Sequence, residues 1–192
     1  MFTVGISGRT VAWVELYAIW VVWFWPYLFR APKVQRRKST TVRAPSIAGV
    51  LLEGAGILTV WGLHAPDAPR TGPPAMLAAL FFGVIGIWLM WTAISHLGRQ
   101  FRIQAGLYED HQLVRSGPYA VVRHPIYASL LALTLATGIL MAQWQWLLVG
   151  LALCIAGNEI RVRTEDRLLE GRFGEDFREY RRKVRGYVPF VR

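Results

Sequence analysis

Five long apolar runs, separated by short polar segments, constrain the fold of this chain more than any other feature. A helix needs about 20 apolar residues to cross the hydrocarbon core of a bilayer, and inside that core the backbone must satisfy its own hydrogen bonds. The pattern therefore predicts an all-α, polytopic integral membrane protein with about five transmembrane helices. The runs cover residues 11–29, 46–63, 75–97, 126–141 and 144–160.

Basic residues fall into alternate connections between these runs. The 22 Lys and Arg residues concentrate after the first, third and fifth runs, whereas the Pro-rich loop at 64–74 holds a single Arg. Because cytoplasmic loops carry such an excess, the N-terminus is predicted outside and the C-terminus in the cytoplasm. The net charge of +10 then reflects orientation and contact with anionic membrane lipids, and no nucleic-acid partner is expected. An Ala-, Arg- and Gly-rich composition hints at a prokaryotic source and a plasma-membrane location.

The chain is predicted to form a single membrane domain over residues 1–192, with three N-terminal helices in residues 1–97 and a functional part in 98–192. The link at 142–145 is too short for anything but an antiparallel helical hairpin, in which the short fourth helix leans on the fifth. Apolar residues at three- and four-residue intervals then predict a cytoplasmic C-terminal helix over residues 165–183. These residues are Leu168, Leu169, Phe173, Phe177 and Tyr180.

Several residues inside or beside the runs favour structural interpretations. Cys154 and four scattered His have no metal-ligand spacing, so no metal is expected. Gly54 and Gly56 lie in an apolar helix with no preceding strand, which indicates close helix packing rather than a dinucleotide site. Glu53 is an ionisable residue within the membrane, which indicates either a function or a hydrogen bond to a neighbouring helix. Three residues at the inner end of the third run are interpreted as headgroup contacts: His96, Arg99 and Arg102.

The segment GPYAVVRHPIY, residues 117–127, is the most informative polar break. It places Arg123 and His124 beside two tyrosines where membrane meets water. Pro125 suits the first turn of the following helix, whose free N–H groups and positive dipole end could hold a carboxylate. The alternative is a capped helix start with aromatic interface anchors, and the residues alone leave both interpretations open.

A second polar cluster, NEIRVRTEDRLL at 158–169, ends the fifth run. Arg161 and Glu165 are spaced i,i+4 and share one helix face. They form either an exposed ion pair, worth about 0.3–0.5 kcal/mol, or a site in which Arg161 holds an anionic substrate and Glu165 a cationic or polyhydroxylated ligand. Periodicity does not decide between these alternatives.

Together the two clusters resemble the isoprenylcysteine carboxyl methyltransferase family. The similarity covers residues 104–190: HQLVRSGPYAVVRHPIY, a hairpin, then RVRTEDRLLEGRFGEDFREY and a closing VPF. The resemblance implies an integral membrane enzyme that uses S-adenosyl-L-methionine and releases S-adenosyl-L-homocysteine, without the Rossmann methyltransferase fold. It also implies a short, prokaryotic-type member of the family, because eukaryotic members have more membrane helices. Phe177 stands where a tyrosine is common in the family.

By the same resemblance, Arg161 would bind the substrate carboxylate, and Arg161 and Glu165 would be the catalytic pair. The implied acceptor is a lipid-like or isoprenylated cysteine carboxylate. The cofactor contacts that the resemblance implies are Gln104, His111, Gln112, Leu113, Val114, Tyr119, His124, Pro125, Ile126, Tyr127 and Glu165.

Three other hypotheses remain open. A phospholipid amine could be the methyl acceptor, although an amine must lose a proton and needs a base. A membrane sterol-reductase-like enzyme would bind NADPH, with a basic cluster for its 2′-phosphate: Arg178, Arg181, Arg182 and Lys183. A non-enzymatic membrane protein would bind no cofactor and would tolerate loss of Arg161 and Glu165.

Overall fold

The structure is a computed structural model that describes residues 7–29, 39–102 and 105–187. Within these residues the regular elements are six α-helices, two short strands and two short 3₁₀ helices, Gly98–Gln100 and Gly117–Ala120. In chain order the α-helices and strands are α1 (Gly8–Phe29), β1 (Ser39–Thr41), α2 (Arg43–Gly62), α3 (Pro73–Leu97), β2 (Gly106–Tyr108), α4 (Pro125–Met141), α5 (Trp144–Phe173) and α6 (Glu175–Lys183).

Among the described residues, four helices are long and apolar enough to cross a membrane, namely α1, α2, α3 and α5. The fifth apolar helix, α4, has 17 residues. Its length of about 25 Å, at 1.5 Å per residue, falls slightly short of the roughly 30 Å hydrocarbon core. The prediction of an all-α polytopic membrane protein is therefore confirmed.

The C-terminal helix begins and ends differently from the prediction. A single helix over 165–183 is wrong, because α5 runs on without a break from the apolar run to Phe173. The chain then turns at Gly174, whose φ of 55° lies in the left-handed region that favours glycine, and α6 begins at Glu175. Arg161 and Glu165 consequently lie on a rigid continuation of a membrane helix.

The shortness of α4 is explained by its central position. Twelve of its 17 residues are buried, and it contacts α1, α2, α3 and α5. The short α4 does pack on its hairpin partner α5, but its most extensive packing is with α3, which was not predicted, while α5 packs chiefly on α2. A helix that is surrounded by protein does not have to match the thickness of the lipid.

Small residues let α2 and α5 approach closely. A Cβ added at Gly56 would lie 2.5 Å from the carbonyl oxygen of Gly150, and one added at Gly157 would lie 2.6 Å from that of Gly49. Such contacts are typical of membrane helix pairs, so the packing role predicted for Gly56 is confirmed. Gly54 differs, because a Cβ there would meet nothing within 4 Å.

A two-stranded ribbon, which the sequence did not predict, ties the connections after α1 and α3 together. Strands β1 and β2 pair antiparallel, with Thr41 opposite Gly106. Arg102 donates a hydrogen bond to Thr41 Oγ1 at 2.7 Å, and its guanidinium lies over the Tyr108 ring, 4.9 Å from the centroid. These protein contacts engage the Arg102 side chain that was interpreted as a headgroup ligand.

The connections segregate to two ends of the helix bundle. At one end, the loop between α2 and α3 meets the α4–α5 link, where Ala65 N–H donates to Met141 O at 2.7 Å. At the other end, the segment before α4 meets the chain after α6, where Arg123 N–H donates to Arg185 O at 2.7 Å. The second end holds the polar clusters identified in the sequence.

Candidate functional site

A cavity of about 640 Å³ lies at the end of the bundle that holds the polar clusters. This volume is within the range of small-molecule sites, roughly 300–1,000 Å³. One wall is polar and is formed by the segment before α4 and the inner part of α5; the other is formed by α1 and α2 and is apolar except for Glu53. The cavity thus joins a polar and an apolar surface in one space.

Every described residue that was predicted for the site lines this cavity. Gln104 lies outside the described residues. The predicted residues that the cavity brings together are His111, Gln112, Leu113, Val114, Tyr119, His124, Pro125, Ile126, Tyr127, Arg161 and Glu165.

His124 bridges two successive carboxylates of α5. Its Nε2 lies 2.8 Å from Asp166 Oδ1, and its Nδ1 lies 3.4 Å from Glu165 Oε2. Its backbone N–H donates to Gly186 O at 2.8 Å, which fixes the residue that precedes α4. Burial lowers the pKa of His124, but hydrogen bonds to Asp166 and Glu165 raise it more, to about 9. The imidazole is therefore a cation at neutral pH.

Arg123 has a structural role beside this histidine. It pairs with Asp166 Oδ2 at 3.1 Å, and its Nη1 donates to the carbonyl oxygens of Val184 at 2.5 Å and Arg181 at 3.2 Å. Asp166 thus holds both basic residues of the RHP motif. The sequence patterns assigned no role to Asp166; its place next to Glu165 in the second polar cluster was the available signal.

Arg161 and Glu165 do not form the exposed ion pair that remained possible from the sequence. Their side chains are 12% and 28% exposed. Glu165 accepts a hydrogen bond from the Tyr127 hydroxyl, whereas Arg161 pairs with Glu53 of α2 at 2.8 Å. The guanidinium lies 4.9 Å from the Tyr127 ring centroid, so Tyr127 separates the two residues and contacts both.

Aromatic residues of α6 and of the turn before α4 form the next part of the wall. The Tyr180 hydroxyl donates to Tyr119 O at 2.6 Å, and burial raises the pKa of Tyr119 well above its ordinary value. Phe177 is completely buried and lines the cavity. Replacement of the usual tyrosine therefore leaves an apolar ring at this wall, while Tyr180 fastens α6 to the turn.

The apolar wall was not predicted, because α1 has no motif that points to a site. The signal that could have found it is the density of aromatic residues along one helix. The α1 and α2 side chains that line it include Trp20, Trp23, Phe24, Tyr27, Val50 and Ile57.

The basic cluster on α6 is neutralised by nearby carboxylates. Arg181 pairs with Glu170, Arg182 with Glu175 and Lys183 with Glu179, while Arg178 contacts both Glu170 and Glu175. None of the four basic residues lines the cavity. This arrangement argues against their use as a binding site for the 2′-phosphate of NADPH.

Comparisons with known proteins agree with this geometry. Residues 78–171 match the profile of the isoprenylcysteine carboxyl methyltransferase (ICMT) family. The chain is 32% identical to the protein-S-isoprenylcysteine O-methyltransferase of Schizosaccharomyces pombe over 117 residues, which are 59% of this chain and 49% of the relative. It is 30% identical to protein-S-isoprenylcysteine O-methyltransferase B of Arabidopsis thaliana over 110 residues, 56% of each chain.

A third relative carries a different name. The cobalt-zinc-cadmium resistance protein CzcN of Cupriavidus metallidurans is 33% identical over 118 residues, which are 57% of this chain and 49% of the relative. The chain spans about half the length of these curated relatives. The profile match includes most of α3, all of α4 and most of α5, and thus the RHP segment, Arg161 and Glu165. By this match over residues 78–171, the chain resembles the isoprenylcysteine carboxyl methyltransferase family.

Proposed function

We propose that this protein transfers the methyl group of S-adenosyl-L-methionine to the carboxylate of a lipid-like or isoprenylated-cysteine acceptor at the membrane. The observation that carries the proposal is the placement of Arg161 and Glu165 on one wall of a cavity that is polar on one side and apolar on the other. Such a cavity suits a polar cofactor and a lipid-like acceptor that meet at one point. The homologues' names add support for a prenylated acceptor.

The polar wall fits a cofactor with amino-acid, ribose and purine groups. Backbone and side-chain groups of residues 111–114, Tyr119 and 124–127 supply donors, acceptors and aromatic faces, and Glu165 supplies a carboxylate. Gln100 Oε1 and Arg102 Nη1 also belong to cavity-lining residues and have no hydrogen-bond partner among the described residues. Buried polar atoms of this kind are stabilised when a polar ligand binds. Gln104 belongs to the proposed cofactor site by resemblance.

The proposed chemistry requires alignment rather than proton transfer. The cofactor supplies a methyl group on a sulfonium, so a carboxylate oxygen can form the new C–O bond while the C–S electron pair returns to sulfur and no base is needed. Arg161 would orient the acceptor carboxylate with its planar guanidinium. Glu165, held by Tyr127 and His124, would fix the cofactor. The cavity walls would exclude water and hold both partners in line.

The apolar wall would hold the lipid-like part of the acceptor. The rings of Trp23, Phe24 and Tyr27 lie along α1 on one side of the cavity, and Val50 and Ile57 lie on α2. An acceptor dissolved in the bilayer would enter laterally, while the cofactor would enter from the cytoplasm. On this proposal the site faces the cytoplasm, and the membrane is the plasma membrane if the source is prokaryotic.

The alternative activities have less support. A phospholipid amine would have to lose a proton before it could attack the methyl group and would need a base for that step, whereas the planar guanidinium of Arg161 is suited to hold a carboxylate. An NADPH-dependent reductase would need the α6 cations for the 2′-phosphate, but these residues pair with carboxylates and do not line the cavity.

Calorimetric titration of S-adenosylhomocysteine into detergent-purified protein, with NADPH in parallel, tests the proposal. We expect saturable binding of S-adenosylhomocysteine alone. Glu165→Ala should weaken this binding about tenfold or more, since hydrogen bonds to charged groups contribute roughly 1.5–3 kcal/mol. Arg161→Ala should bind S-adenosylhomocysteine normally but lose about a hundredfold or more in turnover through misalignment of the acceptor.

Arg163→Ala is the matched control, because Arg163 lies on the same helix, is 62% exposed and pairs with Glu159 away from the cavity. It should behave like the wild type. Normal turnover in Arg161→Ala would contradict the acceptor role, and binding of NADPH alone would favour the reductase hypothesis.

A further inference from the structure

Glu53 and Arg161 form an ion pair where helices α2 and α5 border the cavity. Arg161 Nη1 lies 2.8 Å from Glu53 Oε2, and the two side chains are 12% and 7% exposed. Both residues line the cavity. Arg161 is the residue proposed to hold the acceptor carboxylate, so Glu53 is a second carboxylate at the same guanidinium.

The helix pair is shaped around these two side chains. A Cβ at Gly157 would lie 2.9 Å from Glu53 Cγ, and a Cβ at Gly49 would lie 2.9 Å from Arg161 Cδ. Each helix therefore presents a glycine beneath the charged side chain of the other. A larger residue at either glycine would displace one of the two charged side chains. The ion pair is therefore built into the packing of the two helices.

Stability alone does not account for the pair. Removing two charges from water costs free energy that their attraction often fails to recover, and apolar replacements of buried pairs are often neutral or stabilising. Glu53 also has a buried oxygen, Oε1, with no hydrogen-bond partner among the described residues. An under-satisfied carboxylate is costly, which indicates a role at the cavity it lines.

We propose that Glu53 is a positioning residue for the acceptor end of the site. It holds Arg161 against the Tyr127 ring and compensates part of the guanidinium charge, so that Arg161 orients the acceptor carboxylate without binding it too tightly. This inference rests on the proposed function and adds to it a residue from the N-terminal helices, outside the matched family segment.

The physical reason lies in how charge changes during the reaction. The acceptor carboxylate carries a full negative charge in the ground state and loses part of it as the new C–O bond forms. An uncompensated cation beside it would stabilise the ground state more than the transition state, which raises affinity and slows turnover. A neighbouring carboxylate reduces this difference while the guanidinium keeps its planar hydrogen-bonding geometry.

Glu53→Gln tests the compensation, because it keeps the shape and a hydrogen-bonding oxygen but removes the charge. In steady-state turnover we expect both KM for the acceptor and kcat to fall, each by about threefold to tenfold, with kcat/KM changed little. Glu53→Asp, which retains the charge, should move both constants back towards the wild-type values. Glu15→Gln is the matched control, since Glu15 is also an acidic residue of an apolar helix but does not line the cavity.

Binding without turnover gives an independent measurement. In the presence of S-adenosylhomocysteine, Glu53→Gln should bind N-acetyl-S-farnesylcysteine about threefold to tenfold more tightly than the wild type, corresponding to roughly 0.7–1.4 kcal/mol. Binding of the methyl ester of the same compound should change little, because the ester has no charge for Arg161 to attract. Equal effects on acid and ester, or weaker binding of the acid, would overturn the role of Glu53.

Failure of the proposed function is distinguishable from failure of this inference. If the proposed function is wrong, the wild type will not bind S-adenosylhomocysteine and will not methylate the acid. If only the inference is wrong, the wild type will do both, and Glu53→Gln will lower kcat without lowering KM or will match the Glu15→Gln control.

Discussion

Two adjacent acidic residues, Glu165 and Asp166, contact the same histidine, His124, in this site. Neighbouring positions on a helix point in different directions, yet Glu165 and Asp166 both reach His124 because the two ring nitrogens lie on opposite sides of the imidazole. Asp166 also pairs with Arg123, and Glu165 also accepts a hydrogen bond from the Tyr127 hydroxyl. A protonated His124 therefore links the segment before α4 to α5 and fixes the orientation of Glu165.

Protonation of His124 should make stability depend on pH. Its pKa rises from the ordinary value of 6.5 to about 9, so its contribution is fully present below pH 6.5 and is lost as pH rises through about 9. His124→Gln should lower the free energy of unfolding by roughly 3 kcal/mol at pH 6.5, and by much less at pH 9.5. Thermal unfolding in detergent across this range measures the difference.

His64→Gln provides the control for that experiment, because His64 lies beside Ala142 at the opposite end of the bundle. The loss in free energy of unfolding caused by His64→Gln should not show the fall between pH 6.5 and pH 9.5 that is expected for His124→Gln. A constant effect of His124→Gln from pH 6.5 to 9.5 would show that the imidazole does not act as a cation here.

Sequence patterns identified residues of the polar wall, but neither their partners nor the apolar wall. The RHP segment and the Arg161–Glu165 spacing located the polar wall. Their pairing could not be predicted, because Glu53 reaches Arg161 from a helix 108 positions away along the chain. Spacing along one helix reports which residues share a face, whereas the identity of the facing helix depends on packing in three dimensions.

At the level of elements, the close α2–α5 contact determines where the charged residues meet. Gly56 and Gly150 bring the backbones together in the part of the pair nearer the α2–α3 loop, and Gly49 and Gly157 do so beside Arg161. The apolar runs predicted the helices themselves, since burial in lipid demands length and hydrophobicity. They did not predict which helices pair, because a lipid-facing surface and a helix-facing surface have similar hydrophobicity.

The GAG sequence of α2 offers a matched pair of substitutions. Gly56→Ala should destabilise the protein by about 1–3 kcal/mol, as overpacking does, because its Cβ would lie 2.5 Å from Gly150 O. Gly54→Ala should be neutral or stabilising by up to about 1 kcal/mol, because alanine has the higher helix propensity and the space is open. Thermal unfolding of both variants in one detergent makes the comparison; equal losses would contradict the close approach at Gly56.

On the scale of the whole molecule, the two ends of the bundle differ sharply in charge. Among the described residues, Arg9 and Arg70 are the basic residues at the end that holds the α2–α3 loop, and the others lie towards the end that holds the cavity. Arg70 is itself engaged, since it donates to the carbonyl oxygens of Ile139 and Ala142 at 2.7 Å. The basic connections therefore lie at one end of the bundle and the α2–α3 loop lies at the other, as the pattern of basic residues predicted.

Thiol labelling tests the orientation of this charge difference in a membrane. Native Cys154 is fully buried. Labelling of a single introduced cysteine should therefore be measured with little background labelling of Cys154. With the N-terminus outside and the C-terminus in the cytoplasm, Asp67→Cys in the α2–α3 loop should react with a membrane-impermeant maleimide in intact bacterial cells. Glu175→Cys at the start of α6 should react only after permeabilisation, because the positive-inside rule keeps this basic end in the cytoplasm. The reverse pattern would place the cavity's polar entrance outside the cell, away from a cytoplasmic cofactor.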